Sequence, residues 1–194
     1  MATSLGSLLS ARPALADSAV HDESTETRRA PGPLQPGWAL SAFAGYGSDV
    51  DIAGDAQSFE SFGAGVGARL RFTADAGLMV GARLSHHFGE ARDSGSLSSA
   101  LAEAGWALPL GPLRAEPFAS AGVTRTFAEH SLCNVTTGDC RTVGGADYGA
   151  TLGAGLSLVY PFADAFFAGA TAETLLVVGP AFGVLGYATA GMTL

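Results

Sequence analysis

Residues 62–72 read Phe-Gly-Ala-Gly-Val-Gly-Ala-Arg-Leu-Arg-Phe, and this stretch decides the fold class. Every second residue from Phe62 to Phe72 is apolar, and the residues between them are glycine or arginine. A repeat of two is the pattern of a β-strand with two different faces, whereas a helix would mix the two sets. The stretch therefore predicts a strand with one apolar face and one face of glycine and arginine.

The same alternation recurs to the end of the chain in eight segments. Each segment is about as long as the 9–11 residues that a tilted membrane-crossing strand needs. The predicted strands are residues 38–46, 62–72, 78–88, 99–108, 113–123, 148–160, 166–176 and 184–194. Tight turns are predicted at 73–77, 109–112 and 161–164, long polar loops at 47–58, 89–96 and 127–146, and a shorter one at 177–182. This pattern predicts an all-β, eight-stranded antiparallel up-and-down barrel.

The composition places this barrel in a membrane. Apolar residues make up 47% of the 194 residues and charged residues only 14%, whereas soluble domains carry about 25% charged residues. No run approaches the roughly 20 apolar residues of a transmembrane helix. A chain that crosses a membrane as strands must close into a barrel, because an open sheet edge would leave backbone groups unpaired in lipid. We therefore predict a transmembrane β-barrel.

The less apolar face of the segments is predicted to fill the barrel. It consists mostly of glycine, serine and threonine, which make a poor water-facing surface but suit the narrow interior of an eight-stranded barrel. A soluble lipocalin-like barrel or a β-sandwich would instead need a polar outer face. Aromatic residues lie toward the ends of the apolar face, as in the girdles of membrane barrels. They are Trp38, Tyr46, Phe62, Phe72, Trp106, Tyr148 and Tyr160.

Charged residues of both signs fall on the predicted inner face. Isolated buried charges are costly, so they are expected to pair in an internal network. The predicted members are Arg69, Arg71, Arg83, Arg114, Glu103, Glu116 and Glu173, and the alternation also allows Asp147.

The first 36 residues differ from the rest. Residues 1–16 end in Ala14-Leu15-Ala16, an A-x-A cleavage pattern, and are interpreted as the remnant of a signal peptide; the alternative is an uncleaved disordered tail. Residues 17–36 are polar and rich in proline, which predicts a disordered linker. The barrel domain is predicted to span residues 37–194.

These features together resemble the small OmpA/OmpX-type barrels of the bacterial outer membrane. The resemblance covers residues 38–194 and includes a last strand similar to the family's assembly signal, with Leu194 where the family usually has phenylalanine. It implies a protein of the outer membrane of Gram-negative bacteria, within the porin-like families, without enzymatic activity or a cofactor. The expected partners are outer-membrane lipid and a surface ligand at the loops, and we expect a monomer. A net charge of −8 without a basic stripe argues against nucleic acid.

Cys133 and Cys140 are the only cysteines, and both lie in the longest predicted loop. An oxidising compartment favours a disulfide between them. Two cysteines without a histidine pair fall short of the four ligands of a structural zinc site, so no metal is predicted.

Two other functions remain open at this point. The first is a membrane-embedded hydrolase of the lipid A type, in which Ser85 and His87 share one strand face with Glu90 nearby in sequence. The second is a narrow porin-like channel through the polar interior, although the lumen looks filled.

Overall fold

The computed structural model of this chain describes residues 36–49, 63–89, 95–133, 140–178 and 181–194. For residues 49, 128–133, 140–143 and 181 it describes the backbone and not the side chains. The predicted signal-peptide remnant, residues 1–16, and all of the predicted linker except Pro36 lie outside this part of the chain. Among the described residues, no helix is long and apolar enough to cross a membrane.

Nine β-strands make up most of the described part of the chain. They are β1 (Gly37–Asp49), β2 (Ala64–Thr73), β3 (Leu78–Phe88), β4 (Ser96–Trp106), β5 (Leu108–Leu110), β6 (Leu113–Cys133), β7 (Cys140–Pro161), β8 (Phe166–Val177) and β9 (Ala181–Thr193). The short β5 continues β4, because Leu108 pairs with Ala115 of β6 in the register in which Gly105 pairs with Phe118. β4 and β5 therefore act as one strand of the barrel.

The sheet is closed. All neighbouring strands pair antiparallel, β1 pairs with both β2 and β9, and the pairing of β4 with β6 completes the circle. The chain is thus a closed eight-stranded antiparallel up-and-down β-barrel, which confirms the predicted fold. Closure leaves no unpaired sheet edge around the barrel wall.

The two ends of the barrel differ in their connections. At the turn end, which also contains Gly37 and Leu194, the turn after β2 is closed by a 2.8 Å hydrogen bond from Gly77 N to Ala74 O. Gly77 has a φ of 80° and Gly111 a φ of 60°, a conformation that glycine adopts without steric cost. The predicted turn at 109–112 narrows to Gly111 and Pro112, because residues 109 and 110 belong to β5. We call the opposite end the loop end.

The predicted loop at 127–146 is wrong in its extent. β6 and β7 run on as a paired ribbon from Phe127, opposite Ala146, to Cys133, opposite Cys140. β4 pairs with β6 only as far as Phe127, so residues 128–133 and 140–145, which we call the hairpin arm, project beyond the barrel wall. Apolar alternation fails to mark these residues because a two-stranded arm has no core on either side, while its backbone groups still pair.

Candidate functional site

The barrel interior has a carboxylate at its centre. Glu103 on β4 contacts three guanidinium groups that reach it from β2 and β3. Arg71 Nε donates a hydrogen bond to Glu103 Oε2 at 3.0 Å. Arg69 Nε lies 3.0 Å from the same oxygen, and Arg83 Nε lies 3.5 Å from Glu103 Oε1, both as ion pairs without hydrogen-bond alignment. Glu103 therefore joins two adjacent strands into one charged cluster.

The network continues toward the turn end through Glu116 on β6. Arg71 Nη1 donates to Glu116 Oε2 at 2.5 Å, and Arg114 Nε donates to Glu116 Oε1 at 2.5 Å. The Glu116 side chain is 3% exposed, whereas that of Arg114 is 26% exposed. Arg114 is thus the member of the network that solvent reaches.

A second carboxylate ties β3 to β8 across the lumen. Arg83 donates to both carboxylate oxygens of Glu173, with Nη2 lying 2.7 Å from Oε1 and Nη1 bonded to Oε2. Ser120 Oγ on β6 donates to Glu173 Oε1 at 3.2 Å. Both charged side chains of the pair are fully buried. A two-point contact of this kind fixes geometry as well as charge.

The structure thus brings together all seven residues that the sequence places in the network. Three carboxylates face four guanidinium groups, and burial of the network leaves each charge dependent on its partners. Asp147, which the alternation also allowed on the inner face, is exposed at the loop end and lies outside the network that these residues form.

Two phenylalanines that the sequence analysis did not assign to the site complete it. The guanidinium carbon of Arg69 lies 5.6 Å from the ring centre of Phe43 and 5.1 Å from that of Phe118, and Arg71 lies 5.0 Å from Phe118. Such cation–π contacts supply attraction where water is excluded. Gly155 makes room for Phe118, because a Cβ there would lie 2.6 Å from Phe118 Cζ. The available signal was a phenylalanine on an inner face otherwise made of small residues.

The interior near the loop end carries no ion pair among the described residues and is packed with apolar side chains. Phe43, Leu97, Leu101, Leu175, Val177, Leu185 and Tyr187 form this apolar plug. Leu97 and Leu175 are 0% exposed and Leu185 is 1% exposed. Three hydroxyl groups at this level bond to one another: Ser99 and Thr124 share a 2.8 Å hydroxyl contact, and Thr151 Oγ1 donates to Thr124 at 2.7 Å.

The residues of the hydrolase hypothesis do not form a triad in the described part of the chain. Ser85 is 7% exposed and His87 is 0% exposed, so both lie inside the barrel, away from any lipid. His87 Nε2 instead contacts the Tyr187 hydroxyl at 3.2 Å, and Glu90 lies outside the described residues. The neighbouring His86 faces outward, where its Nδ1 lies 2.8 Å from Ser98 Oγ.

The cysteines occupy the far end of the hairpin arm. The backbone of Cys133 pairs directly with that of Cys140, and directly opposed residues of antiparallel strands have Cα atoms about 4.5–5.5 Å apart. That spacing suits a disulfide. The side chains of both cysteines lie outside the described residues, so the bridge stays a prediction. Within the described part of the chain, no group of three or more histidine, cysteine, aspartate or glutamate residues could hold a metal ion.

The outer face of the barrel is apolar, whereas the charged side chains of the network lie in the interior. Large apolar side chains are exposed along the strands, for example Leu84 at 64% and Leu152 at 55%. Aromatic side chains lie in two rings, near the turn end and near the loop end. The turn-end ring contains Trp38, Phe72, Trp106, Tyr160, Phe162 and Phe166, and the loop-end ring contains Tyr46, Phe88 and Tyr148. The exposed charged residues of the described strands, Arg125 and Asp147, lie at the loop-end rim.

Comparison with solved structures identifies similar barrels. Neisserial surface protein A superposes with a TM-score of 0.62 at 12% identity, over 81% of this chain and 97% of that one. The attachment invasion locus protein Ail of Yersinia pestis gives 0.53 at 14% identity, over 82% of this chain and 100% of that one. Ail in complex with the heparin analogue sucrose octasulfate gives 0.50 at 14%, over 83% and 100%.

No protein-family model matches the chain, and no curated protein matches it in sequence. At these identities the likeness shows the fold, that of eight-stranded outer-membrane barrels. Membership of the OmpA/OmpX-type family stays a prediction.

Proposed function

We propose that this chain is an outer-membrane β-barrel that presents its loop end to the outside of a bacterial cell and acts by surface interaction. The observation that carries this proposal is the inverted distribution of side chains. The charged residues of the network are buried, while the outer face is an uncharged apolar band between two aromatic rings. Such a surface fits the hydrocarbon core of a bilayer with its two interfaces. Outer-membrane lipid is therefore the first partner that we propose for this chain.

The orientation follows from the two ends. Outer-membrane barrels have short turns on the periplasmic side and longer loops outside. Here three tight turns and both described termini lie at the turn end, whereas the hairpin arm projects from the loop end. We place the turn end in the periplasm and the arm outside the cell.

The hairpin arm is the surface that we assign to interaction with a ligand. It extends beyond the membrane band, and its residues Gly144 and Gly145 are exposed. The similar barrels include one named a surface protein and one named for attachment and invasion, which supports a role at the cell surface. Closure of the barrel wall supports a monomer.

No observation favours either of the two alternative functions, the lipid hydrolase or the narrow channel. Ser85 and His87 are enclosed by the barrel, so a lipid in the surrounding bilayer could not reach them. A channel would need a water path, but the apolar plug fills the loop-end interior with fully buried side chains. Binding of a sulfated sugar is a property of Ail, and the net charge of −8 gives no reason to extend it to this chain.

Tagging the two ends tests location and orientation together. An epitope tag between Gly138 and Asp139 should bind antibody on intact cells, because the arm is outside. The matched control carries the same tag between Asp164 and Ala165 and should bind only after the outer membrane is permeabilised. Labelling of the control alone on intact cells would reverse the orientation. Recovery of the untagged protein in the soluble fraction would overturn the proposal.

We further propose that a Cys133–Cys140 disulfide fastens the tip of the arm. Protein purified from the outer membrane should resist alkylation by iodoacetamide until it is reduced, and mass spectrometry of the intact chain measures this. Alkylation of both thiols without reductant would exclude the bridge and leave the barrel proposal intact.

A further inference from the structure

A small cavity lies in the lumen between the charge network and the turn end. Its volume is about 20 Å³, enough for a water molecule or a particle of similar size. Arg69, Arg71 and Arg114 line it together with Glu116, Thr73 and Thr189. Three of these six groups are cationic, and the Arg114 side chain is 26% exposed to solvent.

The network around this cavity has more positive than negative groups. Four guanidinium groups share three carboxylates, and no further acidic side chain is buried in the described part of the chain. The cavity lies on the cationic side of this imbalance, because Arg69, Arg71 and Arg114 line it and Glu116 is its one acidic lining residue. Arg71 pairs with both Glu103 and Glu116, and Arg114 pairs with Glu116. An unbalanced charge in a lumen of low dielectric constant is costly unless a counter-ion accompanies it.

Hydrogen-bond donors at the same place lack acceptors. Arg71 Nη2 and Thr189 Oγ1 are buried and have no hydrogen-bond partner in the described structure. Both residues are more than nine-tenths buried, at 7% and 8% exposure, and both line the cavity. Buried donors without partners are rare in proteins and call for an explanation such as a bound ion or water.

We propose that this cavity is a binding site for a monatomic anion, chloride in most media. An anion would accept hydrogen bonds from Arg71 Nη2 and Thr189 Oγ1 and would balance the additional guanidinium charge. Water could accept the hydrogen bonds but would leave that charge unbalanced. A metal cation would meet a cluster of arginines.

Bromide, which replaces chloride and scatters X-rays anomalously, tests the site directly. Crystals of the full chain grown in detergent and transferred to sodium bromide should show an anomalous peak between Arg71 and Thr189. A peak restricted to the outer surface, or density for water alone in the cavity, would overturn the proposal.

Stability in solution gives an independent measurement on the same protein. The midpoint of thermal unfolding should rise with sodium chloride but not with sodium gluconate at equal ionic strength, because only an ion that binds the folded state stabilises it. Gluconate is a much larger anion than chloride. The comparison therefore separates specific binding of chloride from the general screening of protein charges by salt. Equal midpoints in both salts would contradict a chloride site.

Two variants test whether the response of the unfolding midpoint to chloride arises at this cavity. Arg114→Gln removes the additional charge and should weaken chloride binding at least about tenfold, the loss expected for one charge-assisted contact. Arg125→Gln makes the same charge change on the outer rim and should leave binding as it is. A chloride response that survives Arg114→Gln, or that disappears in Arg125→Gln, would place the anion elsewhere and overturn the assignment.

Discussion

The two halves of the barrel lumen are packed by different means. On β4, Leu97 lies nearer the loop end than Glu103, and on β8, Leu175 lies nearer the loop end than Glu173. The half near the loop end is therefore closed by apolar packing, and the rest is filled by paired charges. Apolar packing needs only shape, whereas each buried charge also needs a partner of opposite sign. The comparison teaches that one barrel lumen can be packed in two different ways.

The largest effect is expected where one charge serves three partners. Glu103→Gln leaves Arg69, Arg71 and Arg83 without their common carboxylate, so the free energy of unfolding should fall by about 3–5 kcal/mol. Urea unfolding of the refolded barrel in detergent or in lipid vesicles measures this.

Ser85→Ala is the matched control for that variant. Ser85 lies on the same inner face and its hydroxyl has no hydrogen-bond partner in the described structure, so its removal should be nearly neutral. If Glu103→Gln were equally neutral, the charged half would contribute no stability and the contrast between the two halves would fail.

The apolar half should lose stability by a different mechanism. Leu175→Ala removes a fully buried side chain from the apolar plug and should cost about 2–5 kcal/mol, the range for cavities in packed interiors. Leu175→Met preserves the volume and should cost less than about 1.5 kcal/mol. The same urea experiment compares the two. If the alanine and methionine variants lost the same free energy of unfolding, the stability at Leu175 would not depend on how well the side chain fills the available volume.

The outer face should respond to charge in a way that depends on depth. Leu84→Arg places a charge in the middle of the apolar band and should cost about 2–4 kcal/mol in lipid vesicles, whereas Tyr148→Arg at the loop-end rim should cost about 0–1 kcal/mol. Unfolding in vesicles measures both variants. The reverse order would mean that the band does not lie in the hydrocarbon core.

Heat-dependent migration in SDS gels offers a common check on folding. Closed barrels keep their strands paired in cold SDS, so the folded protein should migrate differently before and after boiling. Leu84→Arg and Leu175→Ala should lower the temperature at which the folded band disappears. Absence of any shift in the unmodified chain, together with solubility without detergent, would favour a soluble lipocalin-like barrel instead.

The barrel strands could be predicted well because each has a core on one side only. The predicted segment at 78–88 coincides with β3, Leu78–Phe88, since its apolar face repeats at every second residue from Leu78 to Leu84. The hairpin arm could not be predicted from alternation, because beyond Phe127 the backbone of β6 pairs with β7 alone and is no longer part of the barrel wall. Residues 109 and 110 of β5 fall in the predicted turn because Pro109 and Gly111 are turn formers, although backbone pairing with β6 extends to Leu110.

For the site, the sequence by itself determined the face on which each charge lies, since side chains alternate strictly along a strand. The network residues, the apolar band and the number of strands all follow from that repeat. Only the tertiary structure decided the partners. Arg83 meets Glu173 across the lumen, and the rings of Phe43 and Phe118 cover Arg69. These contacts depend on the register of strand pairing around the closed barrel, which brings together residues that are 90 positions apart in the chain. No local stretch of the sequence determines that register.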